Sequence, residues 1–225
     1  MYKASKIILL PYYFIFIKYK KFQDINKLLD FSFSPYSLIQ PMQERDEICE
    51  LLNILKTENP KNILEIGTAN GGTLFLFSRI SDKNAKIISI DLPNGKFGGG
   101  YKKWRTTLYK SFILKEQSIH LLRKDSHEEE TLYEVNKILN KEKLDLLFID
   151  GDHTYSGAKL DFEMYSPLVK KNGYIIFHDI VIAQRLVDFN GGVSDFWNSI
   201  KNHYEFKEIV KDWNQERWGI GLIKL

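Results

Sequence analysis

Five short apolar runs, NILEIG, KIISID, SIHLL, LDLLFID and GYIIFHDI, recur between residues 62 and 180, and a helical pattern separates each from the next. Strands this uniformly apolar are buried on both faces, and single helices between them make βαβ units of a parallel sheet. Helices are expected from about Gly71, from about Tyr101, over Glu128 to Asn140, from Tyr155 to Val169 and from Val193 to Lys201. Upstream, QERDEICELLNILKTEN has helical spacing at Ile48, Leu51, Leu52 and Leu55, and Pro60 ends it. Downstream, YEFKEIV and WGIGLIKL read as two further strands, joined by the hairpin-length DWNQER. The expectation is an α/β fold: a doubly wound, mostly parallel seven-stranded sheet with an antiparallel C-terminal strand pair and helices on both faces.

The chain has 225 residues, 44% of them apolar and 27% charged, which suits one domain with a full core. A net charge of +3 with lysines spread along the chain gives no nucleic-acid footprint. The lone Cys49 makes no internal disulfide, reads as a core thiol in its helix, and fits a cytoplasmic setting. Residues 7–17, IILLPYYFIFI, are apolar, aromatic and flanked by lysines. They fall short of the ~20 residues a spanning helix needs, and Pro11 interrupts them. Two readings stay open: a segment packed on the domain or on a second copy in a homo-oligomer, and a membrane-surface anchor.

In an open α/β sheet, ligands bind at the carboxyl ends of the strands. The five runs end in Gly67 and Gly71; Asp91; Asp125 and Ser126; Asp150, Asp152 and His153; and His178 and Asp179. All five therefore deliver polar groups to one rim. The turn Glu65-x-Gly67-x-x-x-Gly71-Gly72 differs from the G-x-G-x-x-G fingerprint, but its glycines would let a ligand approach the backbone at a helix start. An acid closing the next strand, Asp91, can accept the hydroxyls of a ribose. Asp152 is open between a metal ligand and a helix cap. Phe97 to Tyr101 is open between a lid and a plain loop, and Gly191-Gly192 between an acceptor-site loop and a turn. His127 is read as a solvated helix start, and the four tryptophans as core or as a sugar-stacking surface.

Together, ILEIGTANGG, SIDLPNG, KDS, LLFIDGDHTY and YIIFHDI resemble the Rossmann-like class I S-adenosylmethionine-dependent methyltransferases. The branch most similar groups cephalosporin-hydroxylase-like proteins with sugar O-methyltransferases, and GKFGGGYKKW and the tail FWNSI…GIGLIKL fit it as well. The likeness spans residues 40–225, leaving 1–39 as an N-terminal arm. It implies that Glu65, Gly67 and Gly71 border the methionine part of S-adenosylmethionine, with Thr68 in the same cofactor-binding turn. It further implies that Asp91 holds the ribose and that Asp125 and Ser126 lie near the adenine. Asp150 matches a metal-binding aspartate of the catechol-type enzymes, and His178 and Asp179 fall where the remaining protein ligands stand. Those enzymes usually carry carboxylates or amides at that pair, so His178 departs from the pattern. His153 falls where their general base stands.

The chemistry agrees. Mg²⁺ or another divalent cation takes oxygen ligands and lowers the pKa of a bound hydroxyl. A histidine takes the proton near neutrality. The expected enzyme is thus a metal-assisted O-methyltransferase acting on a small acceptor, a sugar or glycoside. Two alternatives stay open: an iron oxygenase built on His153, His178 and an aspartate, and a non-catalytic scaffold.

Overall fold

The computed structural model describes residues 12–95, 100–114, 116–181 and 192–225. The Gly-rich segment 96–99, residues 182–191 and the first part of the apolar arm, 1–11, lie outside the described residues, so the readings of Phe97 to Tyr101, of Gly191-Gly192 and of the anchor each fall partly there. The elements are α1 (residues 12–19), α2 (Ile25–Ser32), α3 (Arg45–Glu58), β1 (Asn62–Ile66), α4 (Gly72–Ile80), β2 (Lys86–Ile90), α5 (Arg105–Lys110) and β3 (Ser118–Leu122). They continue with α6 (Glu129–Leu139), β4 (Leu144–Ile149), α7 (Tyr155–Tyr165), β5 (Val169–His178), α8 (Val193–Ile200), β6 (Glu205–Ile209) and β7 (Ile220–Lys224).

The strands form one sheet in the order β3-β2-β1-β4-β5-β7-β6. The pairs from β3 to β5 are parallel, and β7 runs antiparallel to both β5 and β6. The order reverses between β1 and β4, which opens a crevice at their carboxyl ends. Alternation along each strand divides the core. Ile63, Ile87, Leu146, Phe148 and Ile176 face α2, α3, α4 and α5. Leu64, Ile66, Ile88, Leu147, Ile149 and Phe177 face α6, α7 and α8. Trp197 is fully buried in the second layer and donates its Nε1–H to Glu208 at 2.7 Å, which makes it core. Its ring fits because Gly221 on β7 has no side chain; a Cβ there would stand 2.8 Å from the indole.

Some boundaries differ from the sequence reading. α5 begins at Arg105 rather than Tyr101, because Tyr101 is buried edge-on against Tyr109 instead of starting a turn. α7 stops at Tyr165, where Pro167 turns the chain through a short 3₁₀ segment. β5 begins at Val169: it pairs with Leu144, the register shifts, and pairing resumes at Tyr174 with Leu146.

The arm shares the domain's core. Ile17, Leu28, Leu29 and Ile39 are buried in the same cluster as α3 and α4, and Phe31 and Phe22 pack on Phe75. Arg79 of α4 holds the carbonyl of Ile17 at 2.8 Å. On α1, Tyr12, Ile15, Phe16 and Tyr19 are exposed while Ile17 is buried. Among the described residues, no helix is long and apolar enough to cross a membrane. Cys49 is half-buried at the core's edge.

Candidate active site

The crevice widens into a cavity of about 700 Å³. Gly67 and Thr68 after β1, Asp91 after β2, Asp125 and Ser126 after β3, Asp150, Asp152 and His153 after β4, and His178 and Asp179 at the end of β5 all line it. Glu65 and Gly71 do not; both stand behind the wall.

The glycines of the first turn have local causes. Gly67 has φ 92°, and a Cβ on it would lie 1.9 Å from the Asp150 carbonyl oxygen, so only glycine lets β1 and β4 end side by side. Gly71, φ 75°, caps α4, and a Cβ there would strike the Tyr109 ring at 2.5 Å. Tyr109 in turn donates its hydroxyl to the Ala69 carbonyl at 2.7 Å. Gly72 and Thr73, in the first turn of α4, line the cavity, so the free N–H groups of a helix start lie at its wall.

Asp91 orders this turn as well as lining the cavity. Its Oδ2 accepts from the N–H groups of Thr68 at 3.0 Å and Ala69 at 2.8 Å, and its Oδ1 accepts from Gly100. Burial pushes its carboxyl up despite these bonds. An ionised carboxylate has about four acceptor sites, and the Tyr101 N–H also stands against it, so a ligand hydroxyl would share or displace one of these amides. Glu65 is fully buried with neither oxygen hydrogen-bonded. Burial, and then the nearby charges of Asp150 and Asp91, raise its pKa well above the ordinary value.

At the β4 and β5 ends, ligand atoms of Asp150, His153 and Asp179 lie within 4.8 Å of one another. His153 Nδ1 is 3.2 Å from Asp179 Oδ2, and its Nε2 is 3.7 Å from Asp150 Oδ1. His178 lies beneath, 3% exposed, with Nδ1 3.2 Å from Asp150 Oδ1 and 3.4 Å from Asp179 Oδ1. Burial pulls its pKa down, but the two carboxylates outweigh burial and hold it well above the usual imidazole value. Burial pushes the Asp179 carboxyl up, and His178 followed by His153 brings it below the usual carboxylate range. The donor set that converges is therefore two carboxylates and one imidazole, with His178 buried beneath it. A two-histidine, one-carboxylate iron site is not the grouping found among the described residues.

Asp152 accepts from the Thr154 N–H at 2.9 Å, while Thr154 itself caps α7 through Gly157 at 3.0 Å. It is thus a turn residue beside the cap, and it lines the cavity. Of the four tryptophans only Trp218 lines it. Sequence reasoning missed Gln43, which lines the cavity and donates to Asp150 Oδ2 at 3.0 Å while accepting from Thr73 at 3.0 Å. It also missed the pairing of His127 with the wholly buried Asp161, Nε2 to Oδ1 3.3 Å, which raises the His127 pKa through that contact. No local signal marks either partnership.

Two tests of fit follow. The carboxylates Asp91, Asp125, Asp150, Asp152 and Asp179 make a wall suited to a cationic ligand such as a sulfonium. Two carboxylates and an imidazole fit a divalent cation, the imidazole favouring Mn²⁺ or Fe²⁺ over Mg²⁺ if it ligates.

Residues 64–180 match the family model described as a methyltransferase domain. Protein R132 of Acanthamoeba polyphaga mimivirus, itself uncharacterized, is 33% identical over 52% of this chain and 50% of its own length. Protein y4gI of Sinorhizobium fredii is 26% identical over 61% of this chain and 15% of its own, so this chain spans half or less of either relative. Among solved structures, a Staphylococcus aureus protein described as a caffeoyl-CoA O-methyltransferase superposes with a TM-score of 0.62 at 21% identity, covering 96% of this chain and 100% of that one. An O-methyltransferase from Bacillus cereus in complex with SAH gives 0.58 at 15%, covering 92% and 93%. TomG from Streptomyces achromogenes, in complex with SAM, gives 0.58 at 15%, covering 92% and 91%. At these identities the solved structures speak to the fold.

Proposed function

The chain belongs to the methyltransferase-domain family, and from that premise we propose that it moves a methyl group from S-adenosylmethionine to a hydroxyl of a small acceptor, a sugar or glycoside, with help from a divalent cation. One observation carries the reading: a single cavity wall holds both Asp91 and the Asp150, His153, Asp179 cluster.

Gly67, Thr68 and Asp91 border the donor, with Asp91 accepting from the ribose, and Asp125 and Ser126 lie toward the adenine. Asp150 and Asp179 would hold the cation, which when bound lowers the pKa of the acceptor hydroxyl and fixes its oxygen. His153 takes the hydroxyl proton as the oxygen attacks the methyl carbon. His178 lies beneath both carboxylates, its Nδ1 3.2 Å from Asp150 and 3.4 Å from Asp179, and supports them from below. Gln43 fixes the orientation of Asp150. Trp218 at the wall gives a sugar an aromatic neighbour.

The test pairs binding with turnover. S-adenosylhomocysteine should bind the wild type in calorimetry, and Asp91→Asn should weaken it at least tenfold. His153→Ala should keep that affinity within about twofold yet lose about 10²–10⁴ in methyl transfer from labelled donor to a sugar and glycoside panel. Absence of S-adenosylhomocysteine binding overturns the reading. Full turnover by His153→Ala overturns the role given to that histidine.

A further inference from the structure

We infer that Arg217 and Trp218 form the acceptor-holding edge of the cavity and that the acceptor carries an anionic group, a carboxylate or a phosphate ester, apart from the hydroxyl that is methylated. This rests on the methyl-transfer reading above.

Both residues line the cavity from the connection between β6 and β7. That connection is exposed at its tip, yet it is tied down at both ends. Glu47 of α3, 1% exposed, accepts from the Lys211 N–H at 3.0 Å, the Gln215 side chain at 2.7 Å and the Gly219 N–H at 2.9 Å. Trp218 donates its N–H to Asp179 Oδ1 at 3.1 Å, and its carbonyl accepts from Val181 at 2.9 Å. Trp218 has φ 76° and Asp179 has φ 62°, left-handed conformations that non-glycine residues rarely adopt and that persist where surroundings over-determine them. The contact between the two fixes Trp218 directly against a proposed cation ligand.

On this support the Arg217 guanidinium stacks over the Trp218 ring, 4.5 Å from the centroid. Stacking leaves the in-plane N–H edge of a guanidinium free, and that edge matches a carboxylate or phosphate in bidentate fashion. Among the described residues, the Lys and Arg on the cavity wall are Lys124 and Arg217. Lys124 is held by Glu130 at 2.9 Å and Glu134 at 2.6 Å. None of the ion pairs formed among the described residues involves Arg217, whose contact is the Trp218 ring. The five aspartates of the wall suit the cationic donor, so a guanidinium beside the transfer end points to the other reactant as its counter-charge.

The experiment uses the full chain saturated with S-adenosylhomocysteine and Mg²⁺, and titrates glucose, glucuronate and glucose 6-phosphate by calorimetry into wild type, Arg217→Gln and Arg217→Lys. At least one anionic sugar should bind the wild type tenfold or more tightly than glucose; which one does identifies carboxylate or phosphate. Arg217→Gln should reduce that preference below about threefold, Arg217→Lys should recover part of it, and S-adenosylhomocysteine affinity should stay within about twofold in both. Equal or absent binding of neutral and anionic sugars, or a preference that survives Arg217→Gln, overturns the inference. Failure of S-adenosylhomocysteine itself to bind is a different result and strikes the methyl-transfer reading instead.

Discussion

Replacing Glu47 by Ala tests how the site's C-terminal edge is held. The carboxylate is buried and accepts two backbone N–H groups and one side-chain amide, all from residues 211–219. Gln215 and Lys211 can turn to water when it is lost, because both sit near solvent. The Gly219 N–H is buried and cannot. Bonds to a charged acceptor are worth about 1.5–3 kcal/mol, and a stranded buried donor costs about 1–3 kcal/mol. With partial rescue by water, the loss comes to about 2–4 kcal/mol. For a chain of this size that is a fall in Tm of about 5–15 °C, at about 2–4 °C per kcal/mol. Thermal unfolding followed by circular dichroism measures it. Limited trypsin digestion should also cut faster at Lys211 and Arg217, because the connection loses its inner tether. Glu47→Gln should fall between the two, since its amide oxygen keeps one backbone bond while its NH₂ opposes the other donors. A Tm within about 2 °C of wild type together with unchanged cleavage would refute the tethering.

Glu65→Gln should alter the dependence of stability on pH. A native pKa raised above the ordinary 4.5 means that the folded protein keeps a proton which the unfolded chain releases, so wild-type stability falls as pH rises from about that value toward the native pKa. Each unit of that interval is about 1.4 kcal/mol. The glutamine variant lacks this slope, so urea unfolding in EDTA should show its stability relative to wild type growing as pH rises above about 4.5; parallel profiles would sink the assignment. Gly67→Ala should cost about 2–4 kcal/mol, from a left-handed backbone and overpacking on the Asp150 carbonyl. It should also weaken S-adenosylhomocysteine binding, and a variant unchanged in both would contradict the close approach of β1 to β4.

The central strands were legible because a sheet covered on both faces leaves almost no polar position, and that pattern survives without tertiary knowledge. The early start of β5 was not, since Val169 continues the helical pattern from Tyr155 and Lys170, Lys171 and Asn172 are polar, while the pairing of Val169 with Leu144 comes from the sheet. The site was legible to the extent that topology alone dictates it: ends of parallel strands meet, so Asp91, Asp150 and Asp179 had to share a rim. Which imidazole joins the converging donor set was not legible. His153 sits on the turn after β4 and half-faces the cavity, whereas His178 closes β5 with its ring under both carboxylates. Gln43, Glu47 and Asp161 were invisible because their partners lie 107, up to 172 and 34 positions away, and only packing unites them.

The most direct measurement is a crystal structure of the chain soaked with S-adenosylhomocysteine and Mn²⁺, with the ion located by its anomalous signal. The expected map has the ribose within hydrogen-bond distance of Asp91 and an anomalous peak coordinated by Asp150 and Asp179, both in the same cavity. A nucleoside bound away from Asp91, or a peak that avoids the two carboxylates, would contradict the site as assigned.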